Sequence, residues 1–208
     1  MTAIDAVLFD VGNVLIEWDP RHLYRNIFVK EDGSADEERV TWFLTEICTM
    51  DWHVQHDLGR SPEQQITTLV TQHPEHADLI RVFYERFQEM IPGAIEPMVA
   101  AKRQMKAAGT RIYGLTNFGV ETFDDTRRRF DFLNEFEDVV VSGAERMKKP
   151  DPAIFQLCID RFGIAPERTL FIDDSAANIA SASALGFETH LFDGPGACLQ
   201  KCRTFGLI

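Results

Sequence analysis

No stretch of the sequence stays apolar for about 18 residues, and no charged-then-apolar leader opens it. A membrane span and secretion are therefore not expected. A basic excess is also lacking: 21 Lys and Arg stand against 33 Asp and Glu, for a net charge of −12. Nucleic acid is not an expected partner, because such binding needs a basic stripe. The one basic cluster, Arg127, Arg128 and Arg129 in FDDTRRRFDF, is surrounded by acids and reads as a solvated helix face. No C-x-x-C pair occurs among the four cysteines, Cys48, Cys158, Cys198 and Cys202. The last two lie four apart and read as two thiols on one helix rather than a metal site. That usage fits a reducing compartment, and a cytoplasmic location is expected. Repeats and low-complexity tracts are absent, and nothing bears on oligomeric state.

What is present is an ordinary globular composition, 45% hydrophobic over 208 residues. The length suits one large domain or a core with an insertion. Short apolar, β-rich runs recur at 6–9 (AVLF), 111–115 (RIYGL), 138–142 (DVVVS), 169–172 (TLFI) and 188–192 (ETHLF). Their hydrophobicity is continuous, as in strands covered on both faces, and helical patterns lie between them. The expected fold class is α/β, a doubly wound parallel sheet. Between the first two strands the chain reads as helices. One begins at Ser34 or Asp36, one at Ser61-Pro62, and one carries Leu79, Ile80, Phe83, Phe87 and Met90 at helical spacing. The block resembles a lid, with the Pro-Gly stretch IPGAIEP leading back. The expected division is a core of 1–16 and 94–208 and a helical cap of 17–93.

In an open parallel sheet, ligands bind outside the carboxyl ends of the strands. Asp10 follows the first strand, Thr116 and Asn117 the second, Lys148 and Lys149 come beyond the third, and Asp173 and Asp174 follow the fourth. Singly, each is most simply a turn or cap residue. Together they supply a carboxylate nucleophile, a hydroxyl and an amide to hold an oxyanion, an ammonium, and further carboxylates for a divalent cation. That inventory suits displacement of a phosphoryl group onto aspartate. A phosphate dianion repels an attacking carboxylate, so positive charge must lie between them. Mg²⁺, which takes oxygen ligands, is the expected cofactor, and a small phosphorylated molecule the expected partner.

At these residues the sequence resembles the haloacid dehalogenase superfamily of hydrolases. FDVGNV, LTN, KKPDPAIF and FIDDSAANI resemble its four motifs in order, across nearly the whole chain. The resemblance implies a Rossmann-like core with a helical cap. It implies Asp10 as nucleophile, Thr116 and Asn117 as phosphate ligands with Gly12 and Asn13 beside them, and Lys149 as the motif lysine. Asp10, Gly12, Asp173 and Asp174 would serve the metal. Asn178 stands where many relatives carry another acid.

Gly12 departs from the family's phosphatases, most of which carry there a second Asp acting as general acid. Loss of such an acid costs about 10²- to 10⁴-fold. Three consequences stay open: substrates whose leaving group needs little protonation, such as sugar 1-phosphates; a substitute acid, with Glu17, Asp19 and His53 as candidates; or loss of activity, leaving a binding protein. A sugar-phosphate phosphatase subgroup with an Asp-x-Gly-Asn-Val motif resembles the sequence closely and favours the first. A metal-free 2-haloacid dehalogenase is the alternative enzyme, although Asp173 and Asp174 beside Asp10 would weaken an unneutralised nucleophile. Phosphorylation-receiver domains use similar residues in a different order. Trp42, Trp52, Phe83 and Phe87 are expected in the cap's interior, and His53 and His56 on its solvent face. Trp18 and Arg60 are candidates for the cleft.

Overall fold

The computed structural model describes residues 3–208. Five strands among them form one parallel sheet: β1 (Ala6–Phe9), β2 (Arg111–Thr116), β3 (Asp138–Val141), β4 (Thr169–Asp173) and β5 (Glu188–Leu191). Their order is β3-β2-β1-β4-β5, so β1 is central. All five coincide with the apolar runs in the sequence to within a residue at either end. Side chains alternate between faces. Val7 and Phe9 of β1 enter one apolar cluster with Ile112, Leu170 and Ile172, while Ala6 and Leu8 enter another with Tyr113, Leu115 and Phe171. Both faces of the three central strands are covered, which is why β1, β2 and β4 are buried almost throughout, whereas edge strand β5 has no buried residue.

The helices are α1 (Arg21–Ile27), α2 (Glu37–Trp42), α3 (Met50–Asp57), α4 (Pro62–Gln72), α5 (Ala77–Glu85), α6 (Glu96–Ala107), α7 (Val120–Arg129), α8 (Ser142–Glu145), α9 (Pro152–Phe162), α10 (Ala176–Ala184) and α11 (Pro195–Thr204). The first six lie between β1 and β2, α1–α5 in the helical segment and α6 after the chain's return to the sheet layer. Asp36, not Ser34, caps α2, accepting from the Arg39 N–H at 3.2 Å. Ser61 caps α4 and its partner Gln64 answers with a reciprocal bond, closing a capping box. After α2 the turn widens to a π form over Phe43–Ile47, which turns Phe43, Leu44 and Ile47 inward together. Cys198 and Cys202 do share a helix, α11, where both are buried and free. Arg127, Arg128 and Arg129 end α7 in solvent, as expected.

The chain leaves and re-enters the sheet layer side by side. Ile16 bridges Ala94 antiparallel, the Glu17 N–H donates to the Gly93 carbonyl (3.0 Å), and the Ile95 N–H donates to the Leu15 carbonyl (2.8 Å). Helices α1–α5 then share a continuous apolar cluster with one face of the sheet, from Phe9 and Val11 to Phe43, Phe83 and Phe87. Their end nearest the active edge is tied to the sheet layer by α3. The side chain of His56 accepts or donates to Thr122 Oγ1 (2.9 Å) through Nε2 and bonds the Arg60 carbonyl (2.7 Å) through Nδ1. Ser142 Oγ donates to the Asp57 carbonyl (2.7 Å) and accepts from the Phe118 N–H (2.9 Å).

His53 and His56 are therefore buried, 5% and 0% exposed, and not on the solvent face expected for them. The reason is tertiary: α3 lies between the other helices and α7–α8, and the face that carries His53, His56 and Asp57 is the one packed inward, while Met50 and Asp51 stay exposed. Trp42 is the converse case, 43% exposed, whereas Phe83 and Phe87 are buried as expected. The junction is close. A Cβ on Gly119 would lie 1.9 Å from His56 Nε2, and one on Gly59, whose φ is +95°, 2.7 Å from the Gly143 carbonyl oxygen. Gly119→Ala displaces a histidine already held at both nitrogens, and is expected to lower unfolding free energy by about 1–3 kcal/mol. Chemical denaturation checks it; an unchanged midpoint would show that the junction yields.

Candidate active site

Parallel pairing sets the first distances. Phe9 stands in register with Ile172 on one side and with Gly114 on the other. The residues that follow, Asp10 and Asp173, are thus neighbours at the carboxyl edge, between the two strands where the chain's winding reverses direction. Ligands of open α/β sheets bind at such a switch point. The Asp10 N–H donates to the Ile172 carbonyl (2.9 Å), locking this register one residue past the strand. The turn beyond places Asn13 in the left-handed region (φ 54°), which asparagine tolerates, and its Oδ1 accepts from the Trp18 N–H at 3.0 Å. Gly12, by contrast, has no positive φ, and nothing lies within 4 Å of a Cβ built there. Neither backbone nor space requires a glycine at this position.

Lys149 is 1% exposed and is saturated by acceptors. Its ammonium lies 2.9 Å from Asp10 Oδ1, 2.6 Å from Asp173 Oδ2 and 2.9 Å from the Leu115 carbonyl. Burial opposes its charge, but the two carboxylates outweigh that and raise its pKa. Asn117 holds the lysine's backbone from both sides. Its Nδ2 donates to the Lys149 carbonyl (3.0 Å) and its Oδ1 accepts from the Lys149 N–H (2.9 Å). Its amide is thereby engaged, and the main-chain N–H is what remains for a ligand.

The adjacent acids differ. Asp173 is fully buried with both oxygens taken, Oδ2 by Lys149 and Oδ1 by the Ser175 N–H (2.8 Å) and Asn178 Nδ2 (2.9 Å). Asp174, next along the chain, points the other way and is exposed. Asp10 has Oδ1 fixed by Lys149 and by the Val11 N–H (2.7 Å), and no donor among the described residues reaches Oδ2. Burial pushes the Asp10 pKa up; Lys149 opposes this, while Asp173 and Asp174 add to it.

One oxygen from each of Asp10, Asp173 and Asp174 lies within 4.8 Å of the others. Three carboxylates thus converge with a single ammonium, and that ammonium is already shared by two of them. Hard oxygen donors in negative excess fit a divalent cation. The site opens into a cavity of about 330 Å³ lined by Asp10, Gly12, Asn13, Thr116, Asn117, Lys149, Asp174 and Asn178 from the sheet edge. Trp18, Met50, His53, Val54, Asp57 and Phe87 line its other wall.

The residues that the family resemblance assigned to the site, Asp173 apart, line this cavity, and Asp173 lies behind Lys149. Trp18 reaches the cavity; Arg60 does not, nor do Glu17 and Asp19, and Lys148 lies outside it. Asp57 is missing from the sequence-based candidates. The signal was available, since it falls four residues after His53 on the same helix face. His53 is stacked on Trp18 (centroids 5.4 Å), bonded through Nδ1 to Tyr84 Oη (3.2 Å), and pushed down to about 3 by burial and by His56. It is neutral near pH 7 and has no proton to spare there.

A parallel sheet with acids at its switch point and a helical segment over its carboxyl edge is the architecture of an α/β enzyme whose site lies at the strand ends. The family profile of haloacid dehalogenase-like hydrolases matches residues 4–186, and the chain belongs to that family. It is 28% identical over 211 aligned residues to mouse acyl-CoA dehydrogenase family member 10, covering 94% of this chain but 18% of that protein. It is 24% identical to the sesquiterpene phosphatase astK of Aspergillus oryzae, over 99% of this chain and 98% of the relative. Haloacid dehalogenases of Moraxella and Pseudomonas also match, over 42% and 55% of this chain. Among solved structures, a HAD family enzyme from Bacteroides thetaiotaomicron in a magnesium complex superposes with a TM-score of 0.69 at 21% identity, covering 94% of this chain and 96% of that one.

Lys149→Met leaves Asp10 and Asp173 buried without their counter-charge. Such a break costs about 3–5 kcal/mol. Without the ammonium the two carboxyls ionise at higher pH than in the unfolded chain, so the deficit grows as pH rises. Urea unfolding in EDTA is expected to show that loss at pH 8 and a smaller one at pH 5.

Proposed function

We propose that the protein is a Mg²⁺-dependent phosphatase of a small phosphorylated metabolite, acting through an aspartyl-phosphate at Asp10. The observation that carries this reading is the convergence of three carboxylates, two of them sharing one ammonium, at the mouth of a cavity. The phosphatase among the relatives and the magnesium complex among the related structures support it. Residues 17–93 form the cap in this reading, holding the substrate away from water.

Asp10, Asp174 and the Gly12 carbonyl would hold the cation, which supplies the positive charge needed between a dianionic ester and a carboxylate. Asp173 has no free oxygen, so its part is to hold Lys149 and Asn178 in place. Lys149 keeps Asp10 ionised and fixes Oδ1, leaving Oδ2 to attack phosphorus as the ester bond breaks. Thr116 Oγ1 and the Asn117 main-chain N–H donate to the phosphoryl oxygens, where charge builds up. Water then attacks the aspartyl-phosphate, releasing inorganic phosphate and restoring Asp10. The wall of Trp18, Met50, Val54 and Phe87 would contact the rest of the substrate, excluding water from the reacting atoms.

A metal-free dehalogenase fits the site less well. Asp174 has no basic side chain at salt-bridge distance among the described residues, and a cation-free pocket gains nothing from it. Asp10→Asn is expected to lower phosphate release from a panel of phosphorylated sugars and other metabolites by at least about 10³-fold, with the fold intact. EDTA should abolish the wild-type activity and Mg²⁺ restore it. Halide release from 2-haloacids without metal, or phosphate release persisting in Asp10→Asn, would refute the assignment.

A further inference from the structure

Among the described residues Asp57 is the one carboxyl that the helical segment brings to the cavity, whose lining also includes Asp10 and Gly12. Its side chain is 12% exposed, and no hydrogen-bond donor among the described residues reaches its carboxyl. The nearest ionisable group, His53 Nε2, is 4.0 Å away, too far for a hydrogen bond. A buried carboxyl with no protein partner, facing a cavity, has its hydrogen-bonding capacity left for whatever occupies that cavity. Its position is also built. The Ser142 hydroxyl joins the Asp57 carbonyl to the Phe118 N–H, so the end of α3 is fastened to the loop that follows Thr116 and carries Asn117. The space beside Asp10 that a second aspartate would occupy is open at Gly12.

We propose that Asp57 is the general acid and base of this hydrolase, supplying from the helical wall the proton transfer that Gly12 cannot. The inference rests on the phosphatase reading above. As Asp10 Oδ2 bonds to phosphorus and the ester P–O bond breaks, the leaving oxygen takes the proton of the Asp57 carboxyl and departs as an alcohol. The Asp57 carboxylate then takes a proton from the water whose oxygen attacks phosphorus. The P–Oδ2 bond breaks, returning inorganic phosphate, ionised Asp10 and protonated Asp57.

The surroundings fit this cycle. Burial pushes Asp57 up to about 7, with Lys148 and Lys149 pulling the other way. An acid placed there is protonated in a useful fraction near neutrality yet can give the proton up. The other titratable groups around it are His53, which is neutral at that pH, Tyr84, whose phenol burial pushes up and keeps neutral, and the lysines just named. None of the other candidates serves: Glu17 and Asp19 do not line the cavity, and His53 carries no spare proton.

The test uses the Mg²⁺-loaded full chain with 4-nitrophenyl phosphate, whose leaving group needs no proton, and with alkyl phosphates, whose leaving groups do. The wild-type enzyme should hydrolyse both with kcat/KM within about tenfold of each other. Asp57→Asn preserves the docked backbone carbonyl. It is expected to lower kcat/KM on alkyl phosphates by about 10²- to 10⁴-fold and on 4-nitrophenyl phosphate by less than about threefold. The fall of wild-type alkyl-phosphate activity above neutral pH should vanish in the variant. Equal losses on both substrates, or none, would overturn the acid role while leaving the phosphatase reading intact. So would a steep wild-type dependence on leaving-group pKa, a result that requires no variant to fold. A wild-type enzyme inert on every ester with Mg²⁺ would overturn both.

Discussion

The ammonium of Lys149 is the interaction on which the rest of the site depends. It is buried among three acceptors from three strand ends: Asp10 after β1, the Leu115 carbonyl in β2 and Asp173 at the end of β4. A charge in that position is tolerated because opposite charges and a carbonyl replace its water shell. The arrangement works in both directions. The lysine stays charged because two carboxylates surround it, and Asp10 is held toward its ionised form because the lysine is there. Asn117 fixes the backbone that carries it, and Asn178 and the Ser175 N–H fix Asp173. Asn117, Asp173 and Asn178 therefore each have a definite mechanical task in holding the lysine beside Asp10.

The helical segment shapes this site by exclusion as well as by contact. It shares one apolar cluster with a face of the sheet and is fastened through His56 to Thr122 and through Asp57 to Ser142, so it closes over the carboxyl edge. Its inner wall is nearly free of charge. His53 is kept neutral between Trp18 and Phe83, and Asp57 is pushed toward its neutral form. That wall is aromatic and aliphatic surface, which in the proposed reaction would exclude water and strengthen the electrostatic influence of the acids and of Lys149 on a bound ester.

Much of this was legible in the primary structure. A strand covered on both faces must be apolar throughout, so the runs AVLF and TLFI announced themselves, and the polar residue after each had to lie at a ligand-binding edge. The parallel sheet and its order of acids, hydroxyl and lysine followed from those runs. Asp36, Ser61 and Pro62 could be read as helix starts because capping is local chemistry. Helical periodicity identified Phe83 and Phe87 as interior for the same reason.

What sequence could not supply concerns direction and neighbours. Asp173 and Asp174 are adjacent at a strand end, where successive side chains point to opposite sides, and nothing in the letters says which faces Lys149 and which faces the cavity. His53 and His56 looked like surface residues because α3 has a polar composition, yet packing against α7 and α8 turned the face that carries them inward. Asp57 had no motif to mark it, since its surroundings come from Ser142 and Phe118, 85 and 61 positions further along the chain. Local propensity and periodicity decide which segments become strands and helices, because those depend on near neighbours. Which polar groups end up facing one another depends on residues far apart in the chain, and only their packing together sets that.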